Sequence, residues 1–270
     1  MALKLPSSLS PSKVNTFREC GYSFKLSVID KVPQPTNLWA LRGTLAHRTL
    51  DRLYFEVKRG DRNRGAAREI FDEVWEKSLA QEELSPLKEW SDEAKMEQFR
   101  QSTWEMVEKD FEVEDPNSIT AIATELLLEF EFNGLILRGI IDRLDLNGDG
   151  SITVTDYKTG RVPGTTQERD KLGGVQFYAL LCEKVLGVSP ASVQLIYLKE
   201  SMAIISRPTP QTLKATQSQT QAIWKAVVHA CENDNFRPRV SRLCGHCCYS
   251  SICPAQPVLG ATDDCGPSQL

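Results

Sequence analysis

Residues 138–161 read RGIIDRLDLNGDGSITVTDYKTGR, and the reading of this stretch decides the fold. Two β-rich runs, Leu135–Leu146 and Ser151–Tyr157, flank Asn147-Gly148-Asp149-Gly150, a cluster of turn formers. The pattern predicts a hairpin with Asp142 on its first strand and Asp156 and Lys158 at the end of its second. Side chains alternate across a strand, so Lys158 leaves the same face as Asp156, and pairing brings Asp142 toward both. Two carboxylates and an amine suit metal-dependent hydrolysis of a phosphodiester. The carboxylates hold a hard divalent cation, and the lysine stabilises phosphate charge or helps to activate the water.

Upstream, TAIATELLLEFEF and LILRGIIDRLDL meet at Asn133-Gly134, a strong hairpin signal. Glu125, Glu129 and Glu131 lie on the first of these strands, where glutamates normally face solvent. Glu125 is the candidate to reach the metal. Downstream, VQFYALLCEKVLG reads as an apolar helix opening with Gln176 and containing Tyr178, after a flexible stretch over Thr159–Gly174. Strands are expected at Ser192–Glu200 and Ala203–Arg207, then a helix over Gln211–Glu232. Near the N-terminus, Ser8–Lys13 (SLSPSK) reads as the cap and start of a helix carrying Phe17 and Cys20. An amphipathic helix over 43–58 places His47 on or beside its apolar face, with Leu50 and Tyr54. Alone, that position suits a core histidine satisfied by a hydrogen bond. Helices over 66–80 and 92–112 offer Ile70, Phe71, Val74, Trp75, Met96, Phe99 and Val107 as core. Lys58, Arg59, Arg62, Arg64 and Arg68 form a solvated face or part of a phosphate-binding wall. This order of elements predicts an α/β fold, a sheet with an antiparallel hairpin and flanking helices.

With 270 residues and 41% apolar content the chain can bury a substantial core, one domain with an elaboration. A formal charge of -4 gives no global nucleic-acid signal, so any DNA contact is confined to a local groove. The sequence has no bilayer-spanning apolar run and no signal-peptide core, so a cytoplasmic setting is the default and membrane partners are not expected. There, eight cysteines read as metal ligands or buried thiols rather than disulfides. Cys244-x2-Cys247-x5-Cys253 is a strong metal signal, and the fourth ligand is Cys20, His246 or Cys248, for zinc or for an iron–sulfur cluster. A rival reading sits on the central turn. Asp145-x-Asn147-x-Asp149-Gly150-x-Ile152-x3-Asp156, residues 145–156, has the spacing of an EF-hand-like calcium loop. Such loops stand between helices, whereas both flanks here read as strands.

Taken in order, SPSKVNTFRECGYSF, the G-T-x-x-H of Gly43–His47, GIIDR at Gly139–Arg143, DYKTG at Asp156–Gly160, Gln176 and the terminal cysteine triplet resemble one family. It is the PD-(D/E)XK nuclease superfamily, in its RecB-like, AddB-like exonuclease branch with an iron–sulfur cluster. The resemblance covers nearly the whole chain. It implies a restriction-endonuclease-like mixed central sheet flanked by helices, over residues 1–270 as one nuclease domain. Residues 1–42 and 232–260 would form an iron–sulfur staple, and 60–118 a helical insertion. By resemblance, Asp142 and Asp156 are the metal carboxylates, the backbone carbonyl of Tyr157 and the His47 ring complete the metal site, Lys158 is the motif lysine and Gln176 the motif glutamine. The family's tyrosine four positions after that glutamine is replaced by Leu180, with Tyr178 the nearest substitute. Cys20, Cys244, Cys247 and Cys253 would hold a 4Fe-4S cluster, with zinc as the alternative. The implied activity is Mg2+- or Mn2+-dependent cleavage of DNA, from single-stranded ends, in repair or recombination. No G-x4-G-K-[ST] motif is present, so no ATPase motor is expected here, and the protein acts alone or beside a separate helicase or recombination protein. A non-catalytic DNA-binding scaffold is the other reading, opposed by the intact Asp142, Asp156 and Lys158.

Overall fold

The alternating run after Ile119 folds as its period demands. In a computed structural model describing residues 3–34, 37–84, 87, 92–162 and 174–255, β1 (Ala121–Phe132) and β2 (Leu135–Leu146) are joined by Asn133-Gly134. Both residues have positive φ, 50° and 74°, as a two-residue hairpin turn of type I′ requires. β3 (Ile152–Lys158) follows the Asn147–Gly150 turn, which is closed by Gly150 N–H to Asn147 O at 2.9 Å and Asn147 N–H to Ser151 O at 2.8 Å. β4 (Ser192–Tyr197) and β5 (Met202–Ser206) complete a mixed five-stranded sheet in the order β1-β2-β3-β4-β5. β2 and β3 are antiparallel, β3 and β4 parallel, β4 and β5 antiparallel. The parallel step needs a crossover, and the helix over 174–181, with its wider last turn Cys182–Leu186, supplies it. This is the α/β architecture expected of the restriction-endonuclease-like fold. The loop read over Thr159–Gly174 falls largely outside the described residues.

The chain forms two compact units. The larger comprises Leu38–Leu128 and Ile140–Leu213. Its core joins the helices Leu38–Glu56, Arg64–Ala80 and Glu93–Glu108 to the sheet. Leu45, Leu50, Phe71, Trp75, Phe99 and Val107 pack with Tyr157, Ile196 and Leu198. In the basic cluster Lys58, Arg59 and Arg64 are exposed, as a solvated face requires, but Arg62 turns inward. Arg62 is 6% exposed and donates to the carbonyls of Tyr54, Val57, Pro116 and Ile119, while Arg59, Arg64 and Arg68 bond to Asn117 O, Glu108 and Asp72. Buried carbonyls need donors, and a planar guanidinium supplies several at once.

The second unit comprises Met1–Asn37, Glu129–Gly139 and Lys214–Leu270. Its first helix, Pro11–Glu19, starts where Ser10 accepts from the Lys13 amide with Pro11 in the first turn. Cys20 lies just past the end of that helix rather than within it, and caps the next turn, Gly21–Phe24. A Cβ on Gly21 would meet Arg237 O at 3.2 Å, so the small residue permits the close approach of the C-terminal segment. Beside this contact Phe24 and Phe236 stack and Phe17 meets both edge-on, with centroids 5.2–6.5 Å apart. Among the described residues no helix is long and apolar enough to cross a membrane.

Candidate active site

His47, Glu125 and Asp142 converge in the larger unit, each offering a ligand atom within 4.8 Å of the others. They come from the helix Leu38–Glu56, from β1 and from β2. His47 Nδ1 lies 3.5 Å from Asp142 Oδ2, and its ring meets that of Tyr157 edge-on at 6.0 Å. Burial opposes charging of His47, but the Asp142 carboxylate outweighs it and the histidine pKa is raised. Glu125 owes its place to a backbone distortion. Its φ is +45°, in the left-handed region, within an otherwise extended strand. Exposed positions on β1 fall at Ile122 and then at Glu125, Leu127, Glu129 and Glu131, so the alternation slips by one there. Burial, with Asp142 close by, raises its carboxyl pKa.

The main-chain ladder between β2 and β3 ends at Arg143↔Thr155. One step further, Asp142 opposes Asp156, and the Tyr157 N–H is taken by Asp142 Oδ2 at 2.7 Å. In a strand the N–H and C=O of one residue point to the same edge, so the Tyr157 carbonyl faces Asp142 as well. Asp156 is buried, with its Oδ2 against the Lys158 ammonium but without a well-aligned hydrogen-bond donor. Burial raises the Asp156 pKa against the pull of Lys158. Lys158, also opposed by burial, is held raised by Asp156. An acidic cluster containing a buried carboxylate oxygen short of donors fits a divalent cation.

Tyr178, rather than Gln176, faces this group. Tyr178 lies beside Asp156, and burial followed by the Asp156 charge raises its pKa. Gln176 donates to Ser206 Oγ at 2.8 Å and accepts from Thr212 at 3.1 Å. Residues two apart on a helix point away from each other, so one helix cannot aim both at Asp156. The calcium spacing is not used. Strands flank the loop, Asp145 is 4% exposed and bonded to Arg143, and Asp149 accepts from the amide and hydroxyl of Ser151. Among the described residues the candidate metal group is the one at His47, not the turn.

Sequence reasoning missed a polar network centred on Arg143, which is fully buried. It meets Asp145, Glu114, Thr155 and the Tyr157 hydroxyl, with its guanidinium over the Tyr54 ring. An arginine following the candidate metal-ligating aspartate on an alternating strand was the available signal, since it has to point the other way.

In the smaller unit, Cys20, Cys244, Cys247 and Cys253 line one cavity. Burial pushes the Cys247 thiol up, and the other three are near enough to push it further. Cys20 Sγ accepts from the amides of Ser23 (3.5 Å) and Arg239 (3.4 Å), and Cys244 Sγ from that of Ser241 (3.4 Å). Amides aimed at sulfur suit thiolates bearing negative charge. Tyr249 hydroxyl, bonded to Gln34 and Val32 O, ties the same segments together. Cys182 and Cys231 are buried and do not line this cavity.

Comparison with known proteins agrees with this geometry. Residues 8–254 match the PD-(D/E)XK nuclease superfamily. Gene 69 protein of Mycobacterium phage D29 is 30% identical over 180 residues, which span 60% of this chain and 65% of that protein. A solved structure from Eubacterium rectale, described as a candidate exonuclease, aligns over 97% of this chain and 91% of its own, with TM-score 0.51 and 9% identity. That likeness concerns the fold alone.

Proposed function

The chain belongs to the PD-(D/E)XK nuclease superfamily, and from that premise we propose that it is a metal-dependent deoxyribonuclease, an exonuclease acting on single-stranded ends. The observation that carries this is the convergence of His47, Glu125 and Asp142 beside the Asp156–Lys158 pair. His47, Asp142, Asp156 and the Tyr157 carbonyl would hold Mg2+ or Mn2+, with Glu125 adjoining. When bound, the cation neutralises the scissile phosphate and makes a water more acidic. Lys158 then neutralises charge developing on the phosphate or orients the attacking water, while Tyr178 steadies Asp156. Gln176 would act on the site indirectly, by fixing its helix against Ser206 and Thr212.

In the RecB-like, AddB-like branch, Cys20, Cys244, Cys247 and Cys253 would carry a 4Fe-4S cluster stapling 1–42 to 232–260, with 60–118 as a helical insertion in one nuclease domain. The four thiols on one cavity and the amides donated to Cys20 and Cys244 support that assignment. The setting would be repair or recombination, beside a separate helicase or recombination protein.

The test is digestion of end-labelled single- and double-stranded DNA with Mg2+, Mn2+ or EDTA. Asp142→Ala, Asp156→Ala and Lys158→Ala are each expected to abolish cleavage while remaining folded, since each removes a charge that matters most in the transition state. Wild-type rates from Asp156→Ala, free of contaminating nuclease, refute the reading.

A further inference from the structure

The catalytic groups leave one conspicuous set of side chains unused, and it lies on the same helix as His47. Trp39, Gly43 and His47 are spaced i, i+4, i+8 on Leu38–Glu56, so they form one stripe about 12 Å long at 1.5 Å per residue. Gly43 fixes where the stripe runs. A Cβ there would meet Thr159 Oγ1 at 3.1 Å, so the helix passes the end of β3 immediately beyond Lys158. At the far end, Lys199 Nζ sits 5.4 Å from the Trp39 ring centroid. Lys199 belongs to the turn after β4, two residues beyond Tyr197, the register partner of Lys158. Lys109 holds that turn by donating to Lys199 O at 2.6 Å. Arg42 lies over the Trp39 ring at 5.1 Å and the Phe99 ring at 4.7 Å.

We propose that Trp39, Arg42 and Lys199 form a subsite for the single strand on one side of the scissile phosphate, a base stacking on the indole while the cations meet phosphates. The proposal rests on the nuclease reading of the His47 site and adds how the strand is held. Three observations support it. Trp39 is only partly buried, whereas Trp75 and Trp104 are core residues. Neither Arg42 nor Lys199 has an ion-pair partner among the described residues, and Arg42 Nε is buried without a hydrogen bond, whereas Arg48, Arg52, Arg68, Arg100 and Arg143 are all ion-paired. The charge is also sorted. Glu125, Asp142 and Asp156 cluster at the cation end of the stripe, and Arg42 and Lys199 stand at the other. About 12 Å corresponds to a stride of a few nucleotides, the distance needed to fix a strand without touching the reacting phosphate. The lysine, on a flexible stem, can exchange the ring for a phosphate when a base arrives. A stacking platform requires an unpaired base, which selects single-stranded ends.

Binding of a short labelled oligothymidylate is measured in EDTA, where nothing is cut, by anisotropy and by quenching of tryptophan fluorescence. Wild type should show quenching that Trp39→Leu loses. Trp39→Leu should weaken single-strand affinity by about 5- to 100-fold and leave duplex affinity nearly unchanged. In turnover the loss should fall on KM rather than kcat. Lys199→Gln should lower the slope of log affinity against log salt by about 0.7, one phosphate contact on a single strand. Calorimetric Mn2+ binding checks the fold of each variant. Unchanged single-strand affinity in Trp39→Leu, or equal loss on duplex, overturns the subsite. If Trp39→Leu no longer binds Mn2+, Lys199→Gln decides alone, and an unchanged salt slope overturns it. A protein that binds through Trp39 yet never cleaves keeps the subsite and loses the nuclease reading.

Discussion

Burial raises the Asp110 carboxyl far above the usual carboxylate range, so removing its need for a proton should change how stability depends on pH. The side chain is fully buried. The Tyr54 hydroxyl lies 2.9 Å from Asp110 Oδ2 and 2.8 Å from Glu114 Oε1. A phenol has one proton and donates once, so both contacts are hydrogen bonds only if one carboxyl is protonated. Both terminal nitrogens of Arg143 donate to Glu114, so the proton falls to Asp110, which donates to Tyr54. The electrostatics agree: burial, helped by Glu114 and opposed by Arg143, pushes the Asp110 pKa from 3.8 up to about 7. A raised acid pKa makes folding take up a proton. Its penalty is absent below the unfolded value, grows between pH 3.8 and about 7, and is constant above. At about 1.36 kcal/mol per unit, three units give an upper limit of about 4 kcal/mol at pH 8. Asp110→Asn keeps the shape and a donor without titrating. Thermal and urea unfolding in EDTA, from about pH 5 to 8, should show the variant near wild type in acid and increasingly more stable toward pH 8. Stability curves that stay parallel across that range refute the protonated Asp110.

The calcium-loop aspartates should separate cleanly. Asp145→Ala breaks a buried pair with Arg143 and should cost about 3 kcal/mol or more in chemical denaturation, whereas Asp149→Ala, exposed in the turn, should stay within about 0.5 kcal/mol. Tight calcium binding lost in both variants would restore the calcium module. Cys20→Ala should lose iron, sulfide and the brown colour of anaerobically purified protein, and should lower the melting temperature, while Cys182→Ala and Cys231→Ala retain them. Closing a loop from Cys20 to Cys244 contributes about 4–5 kcal/mol by the chain-entropy estimate for cross-links. Colourless protein with one equivalent of zinc refutes the cluster, and unchanged metal content in Cys20→Ala refutes the staple.

What was legible in the sequence was what periodicity encodes. The three long helices of the larger unit and most of its core follow from the spacing of apolar residues, and the two hairpins from alternation with Asn-Gly turn formers, and the structure has them in place. The juxtaposition of Asp142, Asp156 and Lys158 was also legible, because alternation on two paired strands leaves little choice. What was not legible depends on backbone events that carry no residue signature. Glu125 was the glutamate singled out on β1, but the positive φ through which it reaches His47 and Asp142 has no residue signature, and the slip in alternation is visible only in the burial it produces. The choice between Gln176 and Tyr178 turned on helix rotation, which an apolar helix buried around most of its circumference does not announce. Asp145 was read from spacing as a turn ligand, but its fate was set two residues away by Arg143, whose charge cannot be buried unpaired.

Arg143 also explains why the hairpin holds its register where the chemistry needs it. Asp142 and Arg143 are consecutive, as are Asp156 and Tyr157, so each pair sends one side chain to each face of the sheet. On one face the carboxylates oppose each other. On the other, Arg143 joins β2 to β3 through Thr155 and the Tyr157 hydroxyl and is anchored by Asp145 and Glu114. A slip of one residue would turn Arg143 toward His47 and bury Asp142 among apolar side chains, with both charges unpaired. Two strands whose ladder stops at Arg143↔Thr155 cannot rely on main-chain bonds beyond that point. The buried arginine takes over there, which leaves the Tyr157 N–H free to hold the Asp142 carboxylate.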